Sequence, residues 1–139
     1  MAKYRLVKQL DEWGCGVACA ASLLGISYKK AKEALIEIKG NEIDSKPCGL
    51  SLRALLKLIP SHRAVYGGAQ DISRWPVGTI AFLSEESGRY AGSGHYILKT
   101  PDGWMDPWAN SENLPRQAKL RTKIPNNTTV QAALIPRAG

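Results

Sequence analysis

A chain of 139 residues has the size of a single domain, 1–139, and enough length to bury a core, while 44% apolar and 22% charged residues exclude global disorder. No run approaches the ~20 apolar residues of a membrane span, and Met1 to Lys8 alternates charge and apolarity where a secretory signal would be continuously apolar. The expectation is a cytoplasmic protein without a membrane segment, which could leave the cell only by a non-classical route. The net charge of +7, from 19 basic and 12 acidic residues, implies attraction to acidic partners without selecting one. The basic residues are dispersed, and their one cluster, Lys29, Lys30 and Lys32, reads as the solvated face of a helix, so there is no clear nucleic-acid site.

In chain order, Tyr4 to Val7 alternates like a short extended segment and leads to Gln9. The run from Gly16 to Leu24 is small, aliphatic and uncharged, long enough for about two and a half turns, and is followed by Gly25 at a C-cap position, which predicts a buried helix. Ser27 then caps a second helix with Ala31, Ala34, Leu35 and Ile38 on one side and Gly40 at its end. Asn41 to Cys48 reads as a loop. Ser51 caps a third helix with Leu52, Leu55, Leu56 and Ile59 inward, stopped by Pro60.

Beyond Pro60 the apolar runs shorten. Ala64 to Tyr66, Thr79 to Leu83, His95 to Leu98, Trp104 to Asp106 and Thr129 to Ile135 are separated by Gly, Pro, Ser and Asp clusters and read as strands of an antiparallel sheet. Ser111 to Asn127 reads as a long loop. Helices followed by strands give an α+β domain whose two parts face each other across a cleft.

Three cysteines, an odd count at irregular spacing, fit a reducing compartment rather than a disulfide framework. Cys15 falls in the first turn of the first helix, where unpaired N–H groups and the positive end of the helix dipole favour a thiolate. Cys19, one turn further in, reads as a core residue, and Cys48 as a loop residue. No His or Cys pairing completes a metal set around Cys15 and Cys19, and neither a metal nor a cofactor is expected.

A thiolate nucleophile needs a base, and the chain has two histidines. His62, next to Arg63 in a turn, reads as an exposed surface residue. His95 opens an apolar strand after the glycine-rich loop from Gly88 to Gly94, where a base can be held rigidly beside a flexible segment. From His95 to Asp106 the chain reads as a hairpin turning around Pro101, Asp102 and Gly103. A two-residue loop at 102 and 103 sets 95 opposite 110, and a four-residue loop from 100 to 103 sets it opposite 108. In either register the period of two puts Asp106 on the face of His95, in the second as a diagonal neighbour at roughly 7 to 8 Å between backbones. Asp106 could then accept from one ring nitrogen and leave the other for Cys15. Gln9, upstream of the nucleophile, could donate to an oxyanion together with the Cys15 N–H.

These residues, in this order, resemble the papain-like peptidases that remove double-glycine leader peptides from bacteriocins. Gln9 followed by Cys15-Gly-Val-Ala-Cys19 looks like that family's oxyanion glutamine and nucleophile motif, and Gly49-Leu-Ser-Leu-Arg-Ala-Leu55 like its following helix. Trp75 to Leu83 looks like its central strand, and His95-Tyr-Ile-Leu and Asp106-Pro107 like its His and Asp-Pro motifs. The chain departs from the family in having Gly14 where an acidic residue precedes the nucleophile, and in a shorter segment between His95 and Asp106. The resemblance implies a papain-like fold, with N-terminal helices carrying the nucleophile packed against an antiparallel sheet carrying His and Asp. It implies a thiol hydrolase acting on a peptide or protein through a Cys15 acyl-enzyme. No Gly-x-x-x-x-Gly-Lys-Ser/Thr phosphate loop is present, so the form expected is a stand-alone one without a transporter. An amidase, deamidase or transferase effector using the same triad, and a catalytically silent peptide-binding module, are the rival readings.

Overall fold

The computed structural model describes residues 3–10, 14–39, 52–66, 74–85, 95–107, 117–124 and 128–137. Within them lie helices α1 (Cys15–Leu24), α2 (Tyr28–Lys39) and α3 (Leu52–Leu58), then strands β1 (His62–Tyr66), β2 (Ile80–Glu85), β3 (His95–Thr100), β4 (Gly103–Asp106), β5 (Lys119–Arg121) and β6 (Thr128–Pro136). The strands form one sheet in the order β1-β6-β2-β3-β4-β5, every neighbouring pair antiparallel. The class is α+β. The anticipated loop from Asn41 to Cys48, the cap Ser51 and the glycine-rich loop from Gly88 to Gly94 lie outside the described residues, and the helix stop at Gly40 does as well.

Helix α1 lacks a polar side because it has none facing water: every residue from Cys15 to Leu23 is buried. Its small residues, Gly16, Ala18, Ala20 and Ala21, admit close neighbours on both sides, with α2 and α3 on one and β3 on the other. Gly25 ends the helix in the left-handed region, φ 68° and ψ 34°, as a C-cap glycine does. Ser27 caps α2 by accepting the Lys30 N–H at 3.1 Å, and Ala31 and Leu35 turn inward from it. Each fully buried leucine, such as Leu35 and Leu55, contributes ~2 kcal/mol of transfer free energy.

Helices and sheet share a continuous core, in which the helical side chains pack on Ile80, Tyr96, Leu98, Met105 and Leu134. The opposite face of the sheet buries Trp75, Ala81, Leu83, Ile97, Trp104 and Val130. Alternation along β3 and β4 therefore sends Tyr96, Leu98 and Met105 toward the helices and Ile97 and Trp104 away from them.

Two expectations are corrected. His62 is buried at 5% exposure rather than exposed: it opens β1 opposite Pro136, and its Nε2 lies 2.8 Å from the Gly78 carbonyl in the turn before β2. Burial pushes the imidazole pKa down, against a smaller upward effect of that bond. Within the stretch read as a loop, Lys119–Arg121 forms the edge strand β5. Three residues are too few to show a period, and their pairing is with β4, distant in sequence.

Candidate active site

The β3–β4 hairpin closes on a two-residue loop shifted by one position from the two-residue loop anticipated, with Thr100 paired to Gly103 across Pro101 and Asp102. Thr100 secures the turn, its hydroxyl donating to the Gly103 carbonyl at 2.8 Å and accepting the Asp102 N–H at 3.1 Å. The register, Leu98 opposite Met105, is that of the second of the two alternatives. His95 is the first residue of β3 and Asp106 the last of β4, so both stand at the rim of the sheet away from the turn. Period two gives them the same face, and they meet: His95 Nε2 lies 2.7 Å from Asp106 Oδ1, with His95 and Asp106 each 3% exposed.

That contact assigns the tautomer. An ionised carboxylate only accepts, so the proton of the neutral ring is on Nε2 and Nδ1 is the basic nitrogen. The second carboxylate oxygen, Oδ2, accepts from Nε of Arg121 on β5 at 2.9 Å. Arg121 was not anticipated from the sequence, since the strand that presents it leaves no local signal there.

Gln9 is fully buried, not a solvated connector residue, and its backbone N–H donates to the carbonyl of Pro107, the residue after Asp106, at 3.2 Å. It gets there because the N-terminal segment is tied down along its length. Tyr4 N–H donates to the Ser22 carbonyl at 2.8 Å, Ser22 Oγ donates back to the Arg5 carbonyl at 2.6 Å, and Val7 N–H points to the Met105 sulfur at 3.3 Å. The segment thus runs from the C-terminal half of α1 to the end of β4.

Cys15 opens α1 with its side chain buried. No side chain caps this helix end and no acidic residue stands in its first turn, so no charge from the turn offsets the positive end of the dipole. Helix α1 packs on β3, and the field of Asp106 is felt within it: the Cys19 thiol is pushed well above its ordinary pKa, first by burial and then by the Asp106 charge. Cys19 is a protonated core thiol, as its position suggested, and Cys48 lies outside the described residues. The structure therefore joins His95 to Asp106 directly, brings Gln9 beside Asp106 through the backbone, and carries Cys15 on the helix packed against β3.

Among the described residues, no three His, Cys, Asp or Glu side chains gather to hold a metal ion, and no helix is long and apolar enough to cross a membrane. Comparison with known proteins finds no matching family model and no matching curated protein.

Proposed function

We propose that the chain is a papain-like thiol hydrolase that cleaves an amide bond in a peptide or protein, with Cys15 as nucleophile, His95 as base and then acid, Asp106 as the group that orients His95, and Gln9 in the oxyanion hole. The observation that carries this reading is the buried hydrogen bond between His95 Nε2 and Asp106 Oδ1, which leaves Nδ1 as the basic nitrogen. A buried imidazole paired with a carboxylate can take the thiol proton and hold it as an imidazolium that Asp106 stabilises.

In the reaction, the Cys15 thiolate adds to the carbonyl carbon and the electron pair moves onto oxygen. The Cys15 N–H and the Gln9 side-chain amide donate to that oxyanion. Collapse breaks the C–N bond, the proton on His95 Nδ1 goes to the leaving amine, and a thioester remains. Water then loses a proton to Nδ1 as it attacks the thioester, releasing a carboxylic acid and the thiol. A Gly-containing segment of the kind cleaved by the double-glycine leader peptidases is the first substrate class to test.

An active-site-directed test uses a peptidyl acyloxymethyl ketone ending in glycine. One adduct per chain, located on Cys15 by peptide mapping and absent from Cys15→Ala, is the expected result. Modification elsewhere, or none, contradicts the assignment.

A further inference from the structure

Asp106 divides its two oxygens between two strands, Oδ1 to His95 on β3 at 2.7 Å and Oδ2 to Arg121 on β5 at 2.9 Å. The carboxylate is almost fully buried, whereas the Arg121 side chain is 37% exposed and reaches in from the sheet edge. Ion pairs between two exposed groups contribute little, but here one partner is desolvated, and a buried carboxylate lacking a cation tends to take up a proton. A protonated Asp106 is a poor acceptor for the His95 N–H and cannot stabilise an imidazolium. The Arg121 guanidinium is a permanent cation bonded to Asp106. Lys119 lies opposite Asp106 in the register but is exposed to water, and Cys19 on α1 is kept as a neutral thiol.

We propose that Arg121 is a positioning residue for this site, fixing the plane of the Asp106 carboxylate and holding it ionised so that Oδ1 stays aimed at His95. The catalytic meaning rests on the reading of His95 as base, but the effect on the His95–Asp106 bond is independent of any substrate. Nε–H donation from a planar fork sets an orientation as well as a charge, which a lysine ammonium supplies only in part.

The chain has two histidines, so their ring N–H signals are separable by ¹H–¹⁵N NMR, and His62, bonded to Gly78, serves as an internal control. In the wild type, the carboxylate-bound His95 Nε2–H signal should persist into acid. In Arg121→Met, which keeps the aliphatic stem, the signal should be lost at a proton concentration at least tenfold lower, with the His62 signal and the melting temperature held. Arg121→Lys should recover part of that shift. An unmoved His95 signal in Arg121→Met overturns the proposal, and so does a variant in which His62 shifts together with His95, because that pattern marks general support of the sheet. Should Arg121→Met fail to fold, the Arg121→Lys and Arg121→Gln pair decides: the proposal requires the Gln variant to lose the signal at the lower proton concentration of the two. Cys15 alkylation that ignores His95 would remove the hydrolase reading and leave this result standing, whereas an unmoved His95 signal removes Arg121 and leaves that reading intact.

Discussion

His95 Nε2 and Asp106 Oδ1 stand 2.7 Å apart at the rim of the sheet, and Arg121 occupies the other carboxylate oxygen. Asparagine can offer its one oxygen to only one of these two donors. Because Arg121 is the partner that can swing into water, Asp106→Asn should keep its oxygen on His95 and turn its NH₂ toward Arg121. The fold and substrate affinity should hold while kcat falls about 100-fold or more, since a neutral amide does not stabilise the imidazolium. Turnover equal to wild type would mean that Asp106 does not serve His95.

Gln9 is buried, so its truncation mixes two effects that a volume-conserving change separates. Gln9→Met removes the amide donor and fills most of the space, and should shift the melting temperature little. The acylation rate should fall ~100-fold, equivalent to roughly 2.7 kcal/mol, because the donor acts when charge develops on the carbonyl oxygen. Alkylation of Cys15 by iodoacetamide forms no oxyanion and should change by less than about threefold on the same argument. Equal losses in both reactions would make Gln9 a support for Cys15 rather than an oxyanion donor.

His62 gives the stability a pH dependence of definite sign. Its folded pKa lies below the ordinary 6.5, so the unfolded chain binds the proton more readily, and the stabilisation present above that value is lost as pH falls through it toward the folded value. Thermal melts should be level near neutrality and decline below about pH 6.5. His62→Gln, which keeps an N–H for Gly78 and does not titrate, should flatten the decline. An equally steep decline in that variant would assign it to the carboxylates.

Gly103 has φ +139°, and a Cβ there would lie 2.7 Å from the Arg121 carbonyl oxygen. Gly103→Ala should cost about 1–3 kcal/mol in denaturant unfolding through strain and the clash. Because the collision is with β5, it should also disturb the Arg121–Asp106 bond. A neutral Gly103→Ala would show that the turn can relax without moving β5.

The parts legible in the sequence were those with a local cause. Gly25 and Ser27 announce helix boundaries through their own backbone and hydroxyl, and the period of two sufficed to place Asp106 on the face of His95 before the turn was known. His62 was misread because its burial comes from the Gly78 carbonyl, 16 residues away, and nothing in Ser61-His62-Arg63 signals it. Arg121 was invisible for the same reason, its role being set by a three-residue strand whose pairing is long-range. The position of Gln9 upstream of Cys15 is legible in the sequence, but its burial depends on the bonds of the N-terminal segment to Ser22, Met105 and Pro107.

Activation of Cys15 by His95 is measured most directly, and without a substrate, by selective alkylation. Iodoacetamide near pH 6, with each cysteine followed by peptide mass, should modify Cys15 at least tenfold faster than Cys19 or Cys48. In His95→Ala that excess should vanish while the fold persists. Faster modification of Cys48, or a Cys15 rate that is the same with and without His95, would mean that Cys15 is not a nucleophile activated by His95.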